Sequence, residues 1–194
     1  TGRVVGRVRV TQKRLPKRIR LNLPAFSRRE KTAYAIPDWL KNLQSVEIVS
    51  CEDYGPATKL IPSLVLPQDE KIVVVDDDRI YPANLIADLE SAADSLGNAA
   101  VAFSGWVAPA DLIDRPTTVL TNIAMTPPVP VRARRLRAPR PVDMVQGLSG
   151  YLVRPRFFDA AELTDYSGAP EAAFFVDDVW ISAHCRADKL VIPG

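Results

Sequence analysis

Residues Ile72–Val75 form an unbroken β-branched run that stops at three consecutive aspartates, Asp76, Asp77 and Asp78. Such a run suits a strand buried on both faces, as in a mainly parallel sheet. Three adjacent carboxylates repel one another and cost free energy unless a cation or hydrogen-bond donors sit among them. Side chains alternate along a strand, so Asp76 and Asp78 leave on one side and Asp77 on the other. Two carboxylates on one side of a strand's end suit Mg²⁺ or Mn²⁺. Open α/β sheets also bind ligands at the carboxyl ends of their strands. The bland alternative is a solvated acidic turn, since Asp is common in turns.

The residues after the aspartates favour a site. Pro82 suits a first helical turn, and Leu85, Ile86, Leu89, Ala92, Ala93 and Leu96 recur with helical spacing up to a terminating Gly97. Ala99–Phe103 then reads as a strand, which makes a βαβ crossover. Upstream, 4–15 reads as the end of a basic helix, and Ile19–Leu23 and Val46–Val49 as strands. A helix ahead of the first strand implies an opening strand before Thr1, so a single domain over 1–194, truncated at its N-terminus, is expected. Residues 105–141 hold many Pro and Arg with little periodicity, and a mobile loop is expected there.

Three further stretches carry chemistry. Gly55 and Pro56 form a turn ahead of a short helix with Thr58 and Lys59, which suits an anionic ligand; an exposed surface turn is the alternative. Gly147 and Gly150 flank Ser149 and permit close backbone approach to a ligand, or simply a tight turn. Asp177 and Asp178 open a helix, with Asp177 placed to cap it and Asp178 left free to face a cleft, ionised by the helix dipole. His184, the one histidine, lies one to two turns on and is a weak metal-ligand candidate.

Charge narrows the partners. Residues 1–41 contain twelve Lys or Arg against Glu30 and Asp38, and Arg132, Arg134, Arg135, Arg137 and Arg140 form a second cluster. Clusters of this kind bind nucleic acid, anionic lipid or phosphorylated substrates. Aromatics are not interleaved with them and no nucleic-acid-binding motif occurs, so no nucleic acid is expected; the basic N-terminal region leaves membrane association open. Cys51 and Cys185 match no zinc or disulfide pattern and read as reduced thiols of a cytoplasmic protein.

With these residues in hand, the chain resembles the nucleotide-sugar glycosyltransferases of the GT-A fold, close to family 2. Three elements occur in that family's order: the strand leading to Asp76, Asp77 and Asp78; Gly147–Pro155 ahead of Phe157, Phe158 and Asp159; and Asp177–Trp180. The resemblance implies an α/β, Rossmann-like, mainly parallel sheet flanked by helices. It implies that the acidic triplet is a DxD motif, with Asp76 and Asp78 holding Mn²⁺ or Mg²⁺ and Asp76 and Asp77 contacting the donor. Asp53–Lys59 looks like the donor-side loop, so Gly55, Lys59, Ser149 and Gly150 become donor-binding candidates. The second acidic pair supplies the catalytic base, Asp178. Two departures stand: the family's first strand would precede Thr1, and Asp177–Asp178 replaces the usual Glu–Asp.

The implied function is metal-dependent transfer of a sugar from a nucleotide-diphosphate donor, a UDP-sugar favoured, to a hydroxyl of a glycan or other acceptor, with inversion. A sugar nucleotidyltransferase and a non-catalytic nucleotide-sugar or glycan-binding module are the alternatives.

Overall fold

The computed structural model describes residues 12–76, 78–113 and 115–194. In chain order, β1 is Ile19–Pro24, followed by a minimal hairpin of β2 (Phe26–Ser27) and β3 (Thr32–Ala33), one helical turn α1 (Asp38–Lys41) and β4 (Val46–Cys51). Two 3₁₀ turns, Ala57–Lys59 and Ile61–Val65, lead to β5 (Ile72–Val74), α2 (Leu85–Ser95), β6 (Ala99–Ala102) and β7 (Ser104–Val107). Then come α3 (Val119–Ala124), β8 (Val129–Arg132), β9 (Arg140–Pro141), β10 (Met144–Val145), a 3₁₀ turn Gly147–Ser149 and β11 (Tyr151–Val153). The chain closes with α4 (Ala160–Thr164), a 3₁₀ turn Glu171–Phe175, α5 (Asp177–His184) and β12 (Asp188–Val191).

The mainly parallel, Rossmann-like sheet expected from the apolar runs is not what forms. β1 and β4 make a two-stranded parallel sheet. The larger sheet has five strands in the order β5-β11-β6-β12-β9 and is mixed. β11 runs antiparallel to both β5 and β6, β12 parallel to β6, and β9 antiparallel to β12. A third sheet, β10-β7-β8, is antiparallel throughout. β5, α2 and β6 do follow one another, but β11 is inserted between the two strands, with Tyr151 opposite both Val74 and Ala102. The physical reason for the error is that burial on both faces dictates an apolar run, while nothing in such a run encodes direction.

α2 covers this sheet because Leu85, Leu89 and Ala93 fall on one helical face and are buried against Ala99, Val101, Leu152 and Ile192. Gly97, at φ +70°, reverses the chain after it, a conformation that strains any residue with a Cβ. The larger cluster joins Leu60, Ile61 and Leu64 to Val74, Tyr151, Val153, Phe157, Leu163 and Ile181. It therefore ties the 3₁₀ turns, the mixed sheet and α5 together. Most of the basic helix expected over 4–15 lies outside the described residues; 12–15 are irregular and dock on α2, where Gln12 Oε1 accepts from Ile86 N at 3.1 Å. The segment 105–141 contains the end of β7, then α3, β8 and β9, where periodicity suggested no regular structure.

Candidate functional site

β5 ends at Val74, the next residue is already exposed, and Asp76 emerges at the edge of the mixed sheet. Tyr81 folds back to hold it: the phenol oxygen accepts from Asp76 N at 2.8 Å and its O–H donates to Gly147 O at 3.2 Å. Asp77 lies outside the described residues. Asp78 is 76% exposed, with Arg79 Nε at 3.7 Å.

Lys59 arrives from a turn built by its neighbours. Gly55, at φ +60°, donates its N–H to Asp53 Oδ1 at 2.8 Å, and Thr58 Oγ1 accepts from Tyr54 N at 2.9 Å. A Cβ at Gly55 would overlap the Phe174 carbonyl, so this glycine is needed for the close fit of the turn against Glu171–Phe175. From β1, the Asn22 amide donates toward Thr58 O at 3.1 Å, Lys59 O at 3.2 Å and Ser63 Oγ at 3.3 Å. The end of β1 thus positions the Lys59 turn.

The Lys59 ammonium sits between two carboxylates, 2.8 Å from Asp76 Oδ1 and 2.7 Å from Asp177 Oδ2. Burial, the largest single influence, lowers its pKa, but hydrogen bonds and charge from Asp177 and Asp76 together outweigh it and lift the group to about 12. Asp177 was expected to cap α5. Val176 instead occupies the cap position, with no side-chain bond to the helix, and Asp177, the first helical residue, turns to Lys59. An ion pair with a half-buried ammonium outweighs one capping bond.

Asp178 Oδ1 accepts from Gly147 N at 3.0 Å. Burial pushes the Asp178 carboxyl up, the Gly147 N–H partly offsets this, and Asp177 pushes it up further. The helix dipole expected to favour ionisation is therefore outweighed by desolvation and neighbouring charge. A carboxylate of raised pKa is a stronger base, and this one lies beside the acidic cluster.

Gly147, read from the sequence only as one of two glycines allowing close backbone approach, was not among the donor-binding candidates, yet it touches the cluster directly. A Cβ there would overlap Lys59 Nζ and stand 3.0 Å from Asp76 Oδ1. The signal was present, since it is the first glycine of the Gly147–Gly150 stretch. Gly150, at φ +81°, packs against Leu85, where a Cβ would stand 3.0 Å from Cδ1. Its requirement is thus explained by packing on α2. Ser149 is half-buried in the connecting turn. His184 lies seven residues beyond Asp177, about 10 Å along the helix axis. Its Nδ1 is bonded to Trp180 O at 2.9 Å and its ring packs on Trp180, so it does not join the cluster.

Aromatic packing fixes α5. Trp180 stacks on Tyr166 at 4.4 Å between centroids and donates Nε1–H to Leu163 O at 2.9 Å. Beside the cluster, two buried phenol oxygens, Tyr151 Oη and Tyr166 Oη, have no hydrogen-bond partner among the described residues, while Asp177 Oδ2 rests on Lys59 Nζ at 2.7 Å. Burial and the charge of Asp177 push both phenols up, Tyr166 to about 12.

For a divalent cation, the donor set is incomplete by itself. Among the described residues no group of three acidic, His or Cys side chains is arranged as a metal cage. Mg²⁺ and Mn²⁺ often take only one or two carboxylates, with substrate phosphates and water completing the shell. The exposed Asp78 and the Asp76 oxygen not held by Lys59 fit that class of site. An apolar rim of Val75, Ile80, Phe175, Val176 and Val179 is left exposed in the segments that carry the acids. A concavity of about 590 Å³ lined by Arg20, Tyr54, Ile61, Leu64 and Thr164 includes none of the cluster residues. Comparison with protein-family models and with curated proteins finds no match to the chain.

Proposed function

We propose that the chain is a metal-dependent glycosyltransferase that moves a sugar from a nucleotide-diphosphate donor, a UDP-sugar favoured, to an acceptor hydroxyl. The observation that carries this reading is the convergence of Asp76, Lys59, Gly147 and the Asp177–Asp178 pair, from four separate segments, at one sheet edge. The order of those motifs, rather than the form of the sheet, is what the family-2-like enzymes share with it.

Electrostatics support a metal. Asp76, Asp177 and Asp178 set three carboxyl groups against a single ammonium, so a diphosphate approaching unaided meets a cluster of net negative charge. Asp78 and Asp76 would hold Mn²⁺ or Mg²⁺, which would neutralise the diphosphate as it departs. Asp178 accepts the proton of the acceptor hydroxyl as that oxygen bonds to the anomeric carbon and the bond to phosphate breaks. Attack opposite the leaving group inverts the centre. Lys59 keeps Asp76 and Asp177 in place. Ser149, beside the Gly147 turn, and Asp77 remain donor-contact candidates. Unpaired Cys51 and Cys185 support a reducing compartment such as the cytoplasm. Among the described residues, no helix is long and apolar enough to cross a membrane.

The test is a donor screen with Mn²⁺, following nucleoside diphosphate release with and without hydroxyl acceptors. Release that depends on the acceptor and on Asp178 supports transfer. Pyrophosphate formed from a nucleoside triphosphate and a sugar phosphate would instead identify a nucleotidyltransferase. Donor binding with no turnover under any acceptor would identify a binding module.

A further inference from the structure

Helix α3 is built inside out. Thr121 and Asn122 are half-buried, whereas Val119, Leu120 and Ile123 are each at least 75% exposed and no residue of the helix is buried. The fold nonetheless specifies this helix. Thr118 and Thr121 form a reciprocal capping box, with Thr121 N donating to Thr118 Oγ1 at 3.1 Å and Thr118 N to Thr121 Oγ1 at 2.8 Å. At the other end, Met125 takes a left-handed conformation and packs against the main core. The apolar face is therefore held outward by both ends. Leu112 and Ile113, just upstream, are exposed as well.

Water alone does not favour such a face, and the charge around it says what covers it. Residues 115–142 hold six arginines and no Asp or Glu. α3 packs against β8, which ends at Arg132, and Arg134, Arg135 and Arg137 follow directly and are exposed. Among the described residues, none of Arg132, Arg134, Arg135 or Arg137 forms an ion pair; Arg115 pairs with Asp111. Exposed aliphatic side chains beside unpaired guanidinium groups match an interface that is apolar within and anionic at its surface.

We propose that α3 and the arginines of 132–137 form a docking surface for an anionic lipid bilayer. Val119, Leu120 and Ile123 enter the acyl boundary and the arginines engage the headgroup phosphates and carboxylates. The residues of this surface are not those of the acidic cluster, and the proposal does not depend on the transfer chemistry.

Flotation of the full chain with vesicles tests it. Vesicles of phosphatidylcholine containing about a third phosphatidylglycerol should bind the chain at least about tenfold more tightly than phosphatidylcholine alone, given the contribution of each arginine near a charged surface. The double variant Leu120→Ser/Ile123→Ser should lose about tenfold or more of that partitioning. Arg134→Gln/Arg135→Gln should also weaken it, and should reduce its dependence on salt. All four positions are exposed, and an unchanged melting temperature will show that each variant is folded. Equal binding to neutral and anionic vesicles, no binding to either, or full binding by Leu120→Ser/Ile123→Ser would overturn the proposal. So would a preference for a single-stranded oligonucleotide over anionic vesicles at the same salt concentration, which would assign the arginines to nucleic acid.

Discussion

Asp178 and Lys59 titrate under opposite pressures, and each gives a measurable consequence. The Asp178 carboxyl is pushed up by burial, so its ionised form destabilises the native state, and stability falls as pH rises through its folded pKa. Asp178→Asn retains an oxygen for the Gly147 N–H and removes that charge. The variant should therefore be at least as stable as the parent to urea at pH 7, while transfer falls by about two orders of magnitude or more. Loss of stability together with activity would make Asp178 structural. Lys59 is lifted to about 12 from 10.5, so its contribution is fully present below pH 10.5 and lost as pH rises through 12. With its side chain 20% exposed, that contribution is on the order of 2 kcal/mol. Urea titrations at pH 9, 11 and 12 should show the parent losing this increment relative to Lys59→Gln; parallel curves for the two would remove the coupling. Tyr151 differs from both. Its buried hydroxyl has no partner among the described residues, so Tyr151→Phe removes a desolvated polar group and should change stability by no more than about 1 kcal/mol. A larger loss would mean that the hydroxyl is satisfied by a buried water shared with Asp177.

At the scale of elements, α3 and β5 mark opposite ends of a stability range. β5 pairs with the buried β11, while α3 has no buried residue and should open locally at low cost. Limited thermolysin digestion should therefore cut before Leu120 or Ile123 of α3 ahead of Ile72, Val73 or Val74, and the order should hold in the absence of ligand. Cleavage first beside β5 would contradict it. This contrast also explains what the sequence could convey. α2 was legible because its apolar spacing, Pro82 and Gly97 all agree, and tertiary packing uses the same face. The strands Ile19–Pro24 and Val46–Cys51 were legible for the same reason, to within two residues at their ends. Strand direction was not, because Tyr151–Val153 is equally apolar in either sense and its place between β5 and β6 is set by distant contacts. Regular structure within 105–141 was hidden because α3 faces its apolar side outward and β8 is only four residues long. In the site, acidic residues stood out by type, but Gly147 and the bridging of Lys59 depend on proximity between segments remote in sequence. The N-cap role expected for Asp177 failed for that reason, since a local rule cannot anticipate an ammonium brought from residue 59.

Across the whole molecule, the acidic cluster lies where separate sheets meet. Asn22 at the end of β1 supports the Lys59 turn, Lys59 reaches Asp76 beyond β5, and Asp177 and Asp178 reach back from α5 toward Lys59 and Gly147. The two-stranded β1–β4 sheet and the five-stranded sheet are thus joined through the same groups proposed to hold the donor. A ligand bound at such a junction stabilises both sides, whereas one held by a single sheet stabilises only that sheet. With nucleoside diphosphate and Mn²⁺ at about 100 times the dissociation constant, linkage gives about 2.7 kcal/mol. For a chain of this size that raises the melting temperature by roughly 5–10 °C. The shift should appear in one calorimetric transition, should vanish with EDTA, and should be lost in Asp78→Ala, whose exposed carboxylate contributes little to the unliganded fold. Asn22→Ala should weaken the shift without touching the ligand, because it releases the turn that presents Lys59. Two separate transitions, with only one moved by ligand, would show that the junction does not couple the sheets; an undiminished shift in EDTA would remove the metal from donor binding.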